Sequence, residues 1–230
     1  MFESVLDFLF PPACSVCGKI DKNWLCPKCE KRVKRLEKSC IVDIEDKKYE
    51  KLLYIFKYES LVRKLILRYK FSNKAYLNHF FANVIAENPK NRELLKQYDL
   101  IIPVPMHKKK MQKRGYNQTE LVANELSKIL EIPARKDILL KVVNTTTQSK
   151  LGGKARQNNI QHAFFIKNDI EVEDKKIILL DDIYTTGATS EECSRVLKDA
   201  RRVRSFSFSF GKRLEKFFIF GWKNLCYIIK

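Results

Sequence analysis

The spacing of apolar residues along the chain predicts several amphipathic helices. Four segments place apolar side chains at intervals of three and four residues with polar side chains on the opposite face, namely residues 61–70, 75–87, 119–130 and 190–198. Asn88-Pro89 is expected to end the second of these helices, because proline does not fit a helix interior.

Shorter apolar runs between these helices predict strands. The runs at residues 100–105 and 177–180 are continuous, as in strands that are buried on both faces. Phenylalanine alternates with serine over residues 206–210, which predicts a half-buried strand, whereas residues 54–56 fit either a strand or a turn. Strands that alternate with helices indicate an α/β fold with a largely parallel sheet.

The apolar run at 177–180 leads into a segment with the chemistry of a phosphoribosyl site. Asp181 and Asp182 follow it directly, and Thr185-Thr186-Gly187-Ala188-Thr189 then leads into the last predicted helix. Free amides at a helix start and threonine hydroxyls can hold a phosphate, and Gly187 permits a close approach. Two adjacent carboxylates suit the vicinal hydroxyls of a ribose, which need acceptors. The alternative is a capped helix after an acidic strand end.

The charge balance favours a polyanionic partner. The chain carries 45 basic and 27 acidic residues, a formal net charge of +18, and five of the basic residues lie within residues 108–114. Nucleic acid, a phosphate-rich ligand or an anionic membrane would suit this excess, although a basic protein without such a partner has the same composition.

The N-terminal residues lack the basic segment of a signal peptide. No apolar run approaches the ~20 residues of a membrane span. We therefore expect a protein without a transmembrane segment, either free in the cytoplasm or at the inner face of the membrane.

Two C-x-x-C pairs near the start of the chain predict a metal site. They are Cys14 with Cys17 and Cys26 with Cys29, eight residues apart. In a reducing compartment, four thiolates favour one closed tetrahedral structural zinc site. Disulfides, a redox C-x-x-C pair and an iron–sulfur cluster are the less favoured alternatives.

Longer stretches of the sequence resemble the ComF family of phosphoribosyltransferase-like competence proteins. Residues 177–189 look like the binding motif for 5-phosphoribosyl pyrophosphate in type I phosphoribosyltransferases. Pro103-Val104-Pro105, the later Arg114-Gly115-Tyr116-Asn117-Gln118 and scattered residues from Thr145 to Phe164 complete the resemblance. It implies a type I phosphoribosyltransferase fold, a parallel sheet flanked by helices, with a small N-terminal zinc-knuckle module.

The resemblance also divides the chain into three parts. Residues 1–45 would form the four-cysteine module and residues 46–211 the phosphoribosyltransferase-like domain. Residues 212–230 are a basic, aromatic tail that fits a packed terminal helix, a surface for single-stranded nucleic acid or a contact with an anionic membrane.

Site roles follow from the same resemblance. Asp181 and Asp182 would hold the ribose hydroxyls, and Arg156 is placed with them among the catalytic residues. The 5-phosphate would bind Thr185, Thr186, Gly187, Ala188 and Thr189, and the pyrophosphate would bind Pro103, Val104, Pro105, Lys108 and Arg114. Residues 148–159 would be a mobile loop that closes over the ligand. Zinc would be structural, and Mg²⁺ would accompany phosphoribosyl pyrophosphate.

Two functions fit these expectations. The first is a phosphoribosyl pyrophosphate-binding protein that serves DNA uptake in natural transformation, contacts single-stranded DNA, and has a competence helicase or another DNA-uptake protein among its candidate partners. The second is an active phosphoribosyltransferase of nucleotide or nucleobase metabolism. The sequence shows no evident general base, and it is compatible with both functions.

Overall fold

The computed structural model describes residues 12–21, 25–145, 160–167, 172–200 and 204–213. The whole of the expected mobile loop, Arg156 included, and residues 214–230 of the tail lie outside the described residues. In chain order, the elements of the described parts are α1 (Pro27–Lys34), β1 (Glu37–Asp43), β2 (Lys51–Lys57), α2 (Ser60–Phe71), α3 (Leu77–Glu87), α4 (Pro89–Leu95), β3 (Leu100–Pro103), α5 (Lys108–Arg114), α6 (Gln118–Leu130), β4 (Leu139–Lys141), β5 (Phe164–Ile166), β6 (Lys176–Tyr184), α7 (Ala188–Ala200) and β7 (Arg204–Lys212).

A five-stranded sheet forms the centre of the molecule in the order β1-β2-β7-β6-β3. Strands β2, β7, β6 and β3 run parallel, so that Phe208 on β7 lies between Leu53 on β2 and Leu180 on β6. Strand β1 comes from the region of the cysteine pairs and adds to the edge antiparallel to β2. A separate antiparallel hairpin joins β4 to β5. The predicted α/β arrangement, a largely parallel sheet flanked by helices, is confirmed.

Apolar side chains fill a core on each face of the sheet. Ile178 and Leu180 point into a core shared with α2, α3 and α6, where the ring of Phe81 stacks on that of Phe210 at 5.0 Å. Ile177 and Leu179 belong to the other core, which is shared with α7 and the β4–β5 hairpin. None of the helices within the described ranges combines the length and apolar character that a membrane span requires.

Strand β7 differs from the half-buried strand that its alternation predicts, because both of its faces are buried. Its central position in the sheet explains the difference: the serines between the phenylalanines face the layer that holds α7. The Ser207 hydroxyl lies 2.7 Å from that of Ser190, and the Ser209 hydroxyl accepts the Tyr184 amide at 2.9 Å. These side chains are small enough for α7 to approach, and their hydroxyls have partners in α7 and in the neighbouring backbone of the sheet.

Three helices of the described residues, α1, α4 and α5, are absent from the apolar pattern. Asn88 does end α3, but its side chain also accepts the Lys90 amide at 3.1 Å, and α4 begins at Pro89, where a proline is tolerated. Helix α5 contains no buried residue. It begins after His107, whose Nδ1 accepts the Lys109 amide at 3.2 Å, and ends at Gly115 with a φ of 84°. Residues 54–56, which fit a strand or a turn, lie in β2.

Candidate functional site

The carboxyl ends of the four parallel strands open onto one cleft of about 1750 Å³. Lys57 of β2, Lys212 of β7, Asp181 of β6 and Val104 just after β3 all line it. Open α/β sheets bind ligands at this edge, because the loops that follow the strands converge there. The cleft is therefore the candidate functional site.

A small pocket of about 40 Å³ lies at the start of α7, within the segment that the sequence predicts for a phosphate. Its lining includes every residue from Thr185 to Thr189, and Thr185 and Thr189 also line the large cleft. The space is enough for roughly three water-sized groups. Helix α7 begins at Ala188, so its first amides are available to an anion.

Gly187 is required by its surroundings as well as by its backbone. Its φ is 78°, and a Cβ there would lie 2.4 Å from the Tyr184 hydroxyl oxygen and 2.6 Å from that of Tyr49. These two buried hydroxyl groups hydrogen-bond to each other at 2.7 Å. The chain just before β2 also holds the loop, since Lys47 Nζ donates to the Thr186 carbonyl at 3.4 Å.

The two adjacent carboxylates occupy different environments. Asp182 is buried, its Oδ1 lies 2.8 Å from Lys70 Nζ, and its Oδ2 accepts a hydrogen bond from Gln118 Nε2. Asp181 lines the cleft, and its carboxylate accepts the amide of Asp182 at 2.7 Å. The structure thus brings both predicted acids to the site, but Asp182 already has two side-chain partners there.

Lys70 is a site residue that sequence reasoning missed. It lies on the polar side of the predicted helix at 61–70, where a lysine is ordinarily a solvated charge. A cue was available in the helical spacing of Arg63, Leu67 and Lys70, which all line the cleft.

The ionisation of Asp181 is shifted by this environment. Burial raises the pKa of Asp181 to about 7, and the neighbouring charge of Asp182 adds to the rise, while Lys70 and Lys141 oppose it. At neutral pH this carboxyl can therefore exchange a proton as well as accept hydrogen bonds.

Helix α5 supplies part of the positive charge of the cleft. Lys110, Lys113 and Arg114 line it, whereas Lys108 is exposed and lies outside the lining. The Arg114 guanidinium donates to Gln118 Oε1 and lies 4.9 Å from the centroid of the Phe71 ring. Burial lowers the pKa of Arg114 and of Lys110.

The Pro-Val-Pro segment links two of the converging elements. Pro103 is buried at the end of β3, while Val104 and Pro105 line the cleft. The Val104 amide donates to the Leu180 carbonyl at 2.9 Å, and its carbonyl accepts from Asn117 Nδ2 at 3.2 Å. The Arg-Gly-Tyr-Asn-Gln segment is thereby attached to the turn after β3, which explains why these separated segments belong to one site.

The lining of the cleft is strongly basic. Three acids, Glu59, Asp181 and Asp182, line it together with the described cations Lys57, Arg63, Lys70, Lys110, Lys113, Arg114, Lys141, Lys212 and Arg213. Such a surface concentrates anionic ligands, since low-dielectric walls focus the field of the charges.

The four cysteines form a separate site. The Sγ atoms of Cys14, Cys17, Cys26 and Cys29 all lie within 4.8 Å of one another, and those of Cys17 and Cys26 are 3.8 Å apart. Tetrahedral zinc with bonds of about 2.3 Å needs sulfurs about 3.8 Å apart, so the residues fit the ion. None of these cysteines forms a disulfide.

Backbone donors favour a thiolate at the first cysteine. Burial alone would raise the pKa of Cys14, but amides that point at its sulfur, including that of Cys26 at 3.3 Å, lower the value to about 6.

The module also shares the core beneath α2, α3 and α6 through Val16, Leu25 and Val33.

A comparison with protein families supports the four-cysteine module. A family model described as a double zinc ribbon domain matches residues 5–42, which include the four cysteines. Among solved structures, a purine phosphoribosyltransferase from Pyrococcus horikoshii is 20% identical, with a TM-score of 0.35, and the match covers 65% of this chain and 91% of that one.

Two curated relatives are competence proteins. Competence protein ComFC of Streptococcus pneumoniae is 32% identical over 156 residues, which are 66% of this chain and 65% of the relative. Competence protein F of Haemophilus influenzae is 31% identical over 199 residues, which are 78% of this chain and 86% of the relative. With identity at this level over most of both chains, the protein belongs to the ComF family of competence proteins.

Proposed function

We propose that the cleft binds 5-phosphoribosyl pyrophosphate and that the protein serves DNA uptake in natural transformation, in contact with single-stranded DNA. One observation carries the first half: a phosphate loop, a ribose-suited carboxylate and a basic helix converge at one sheet edge. Each has the chemistry for one part of the ligand, and all three line the same cleft.

The parts of the ligand can be assigned along this edge. The 5-phosphate would bind at Thr185–Thr189, and the ribose hydroxyls would bind Asp181, whose carboxylate faces the cleft. The pyrophosphate would lie against α5, where Lys110 and Arg114 are the lining cations. Asp182, held by Lys70, would position this arrangement. Arg156 stays a predicted catalytic residue.

Magnesium fits the same arrangement. Mg²⁺ is commonly held by one or two carboxylates together with the phosphates of a substrate, and Asp181 offers an oxygen in the cleft. When bound, the ion would neutralise part of the pyrophosphate charge.

The role in DNA uptake rests on the family and on charge. Relatives at 31% and 32% identity are named competence proteins. The net charge of +18 and the basic cleft suit a nucleic-acid partner. A competence helicase or another DNA-uptake protein is a further proposed partner, and a cytoplasmic location follows from this role.

The deciding experiment measures ligand affinity by calorimetry with Mg²⁺ present. Asp181→Asn keeps the size of the side chain but removes its charge, so we expect it to weaken binding of phosphoribosyl pyrophosphate about tenfold or more. Lys108→Ala, on the exposed side of α5, is the matched control and should bind like the wild type. Equal affinity of wild type and Asp181→Asn would contradict the assignment.

A second function, an active phosphoribosyltransferase, is favoured by the pKa of Asp181. A carboxyl that titrates near 7 can take up the proton that an incoming acceptor loses, a role for which the sequence alone offered no candidate. Release of pyrophosphate from phosphoribosyl pyrophosphate, assayed with and without nucleobases or single-stranded DNA, tests it. Release that Asp181→Asn leaves unchanged would rule out this role for Asp181.

A further inference from the structure

The cations of the cleft lie in two groups, and one of them has no task in the proposed binding of phosphoribosyl pyrophosphate. Lys57 ends β2, Lys212 ends β7, Arg213 follows Lys212, and Arg63 lies in the first turn of α2. We call these four residues the β2–β7 wall. Lys57 and Lys212 are register partners, and the Tyr58 amide donates to the Lys212 carbonyl at 2.9 Å, so the wall is continuous.

The wall is short of negative charge. Within the described parts of the chain, no acid forms an ion pair with any of its four cations. Glu59 lines the cleft beside them and leaves the wall with a net positive charge. Like charges held together repel one another, and a bound anion would relieve that repulsion.

Lys212 is the cation of the wall whose surroundings most favour a bound anion. It is half-buried, and its Nζ lies 5.2 Å from the ring centroid of Tyr54 and 5.8 Å from that of Tyr184. Burial lowers the pKa of Lys212, which means that the ammonium has lost part of its hydration. Aromatic rings compensate a desolvated ammonium only in part, and an anion in the cleft would complete the compensation.

Aromatic side chains line the cleft near both ends of α2. Tyr58 lines the cleft and packs over Gly211, where a Cβ would lie 3.5 Å from the tyrosine. Phe71 lines the cleft at the other end of α2 and is 69% exposed. Cations beside accessible aromatic rings suit a ligand that carries both a phosphate and a base.

The wall lies close to the ribose carboxylates. Arg63 and Lys70 lie on one side of α2, seven residues and therefore about 10 Å apart. Lys70 contacts Asp182, so the wall begins roughly one nucleotide unit away from the proposed ribose site. The cleft volume of about 1750 Å³ also exceeds the ~300–1,000 Å³ of ordinary small-ligand sites, which leaves space for two ligands.

We propose that the β2–β7 wall binds the phosphate of a second ligand, a nucleoside phosphate that lies beside phosphoribosyl pyrophosphate in the same cleft. The proposal rests on the proposed function only for the identity of the first ligand. A free nucleotide and the phosphorylated end of a DNA strand share this chemistry.

The experiment compares probes that differ by one phosphate. Calorimetry would measure adenosine 5′-monophosphate against adenosine, and a short 5′-phosphorylated deoxyoligonucleotide against its unphosphorylated form, with and without phosphoribosyl pyrophosphate and Mg²⁺. The variants are Arg63→Gln and Arg63→Gln/Lys212→Gln. The exposed pair Lys108→Gln/Lys109→Gln, outside the cleft, is the control, and thermal melting checks the fold of each.

The wild type is expected to prefer the phosphorylated member of at least one probe pair about tenfold or more. The double variant should lose that preference, Arg63→Gln should reduce it, and both should keep the wild-type affinity for phosphoribosyl pyrophosphate within about twofold. A preference in the nucleotide pair identifies a free nucleotide, and one confined to the oligonucleotide pair identifies a strand end.

Two results would overturn the proposal: no phosphate preference in either pair, or a preference that survives the double substitution. A wild type that shows the preference but does not bind phosphoribosyl pyrophosphate would contradict the proposed function. It would still support a phosphate site at the β2–β7 wall.

Discussion

At the scale of single residues, the two adjacent acids have different tasks. Asp182 is buried with Lys70 and Gln118 as partners, and it ties α2 and α6 to the end of β6. Asp181 faces the cleft and has the raised pKa. Burial and the adjacent Asp182 raise the pKa of Asp181, whereas Lys70 and Gln118, which lie far away in the sequence, hold Asp182.

The raised pKa of Asp181 predicts a pH-dependent gain in stability for Asp181→Asn. In the unfolded chain an aspartate titrates near ~4, whereas in the folded protein Asp181 titrates at about 7. Between these values the folded state holds more protons at this group, so stability falls as the pH rises. Asparagine escapes that loss and can still accept the Asp182 amide.

Thermal melting across this range checks the prediction. The melting temperature of Asp181→Asn should exceed that of the wild type at about pH 8 and approach it at about pH 4. A difference that stays constant across the range would show that Asp181 does not titrate as described.

Gly187→Ala should destabilise the protein more than an equivalent change elsewhere. Gly187 and Gly115 share a positive φ, of 78° and 84°, but only at Gly187 would a Cβ meet the hydroxyl groups of Tyr184 and Tyr49. Gly115→Ala is therefore the control for backbone strain alone. We expect the free energy of unfolding to fall by ~1–3 kcal/mol more for Gly187→Ala, as in overpacked sites. Denaturant unfolding of both variants measures this, and equal losses would count against the packing argument.

At the scale of elements, the four-cysteine module supports the rest of the molecule. Val16, Leu25 and Val33 belong to the same core as α2, α3 and α6, so the module and the sheet are not energetically separate. Loss of its metal should therefore destabilise the helices and the sheet as well as the module itself.

Cys26→Ser should release the metal and lower the stability of the whole protein. Cys26 is one of the four converging sulfurs and is buried, whereas Cys40 lies on β1 outside the site, so Cys40→Ser is the matched control. Metal analysis should give about one zinc per chain for wild type and Cys40→Ser, and much less for Cys26→Ser. An unchanged zinc content in Cys26→Ser would remove the assignment. Melting curves should show the accompanying loss of stability.

Elements whose characteristic residues are neighbours in the sequence were predictable from it, and elements without such a run of residues were not. The β6–α7 segment and the cysteine pairs carry their chemistry in a few neighbouring residues. Helix α5 has no buried residue and so leaves no apolar period. The contact of Lys70 with Asp182 and that of Tyr49 with Tyr184 join residues more than a hundred positions apart, which only the fold brings together.

At the scale of the whole molecule, the net charge of +18 predicts salt-dependent binding of single-stranded DNA. The logarithm of affinity should fall with the logarithm of salt concentration by about 0.7 per phosphate contacted. If Lys110 and Lys113 each contact a phosphate, their joint replacement by alanine should reduce the slope by about 1.4. The exposed pair Lys108→Ala/Lys109→Ala should change it less.

Fluorescence anisotropy with a labelled oligonucleotide across a salt series provides the measurement. Displacement of the oligonucleotide by phosphoribosyl pyrophosphate would place both polyanions in the cleft. Absence of binding at low salt, or equal slopes for the cleft pair and the exposed pair, would contradict this prediction.

The strand order has a consequence for folding during synthesis on the ribosome. Strand β7, the last strand of the described residues, lies between β2 and β6, and these two strands meet only through it. It is made 147 residues after Lys57, which at ~5–20 residues per second is a delay of roughly 7 to 30 s. Until then β2 and β6 each expose an unpaired edge, which is a template for aggregation. The cleft therefore cannot assemble before β7 has been made, because β2 and β6 are joined in the sheet only through it.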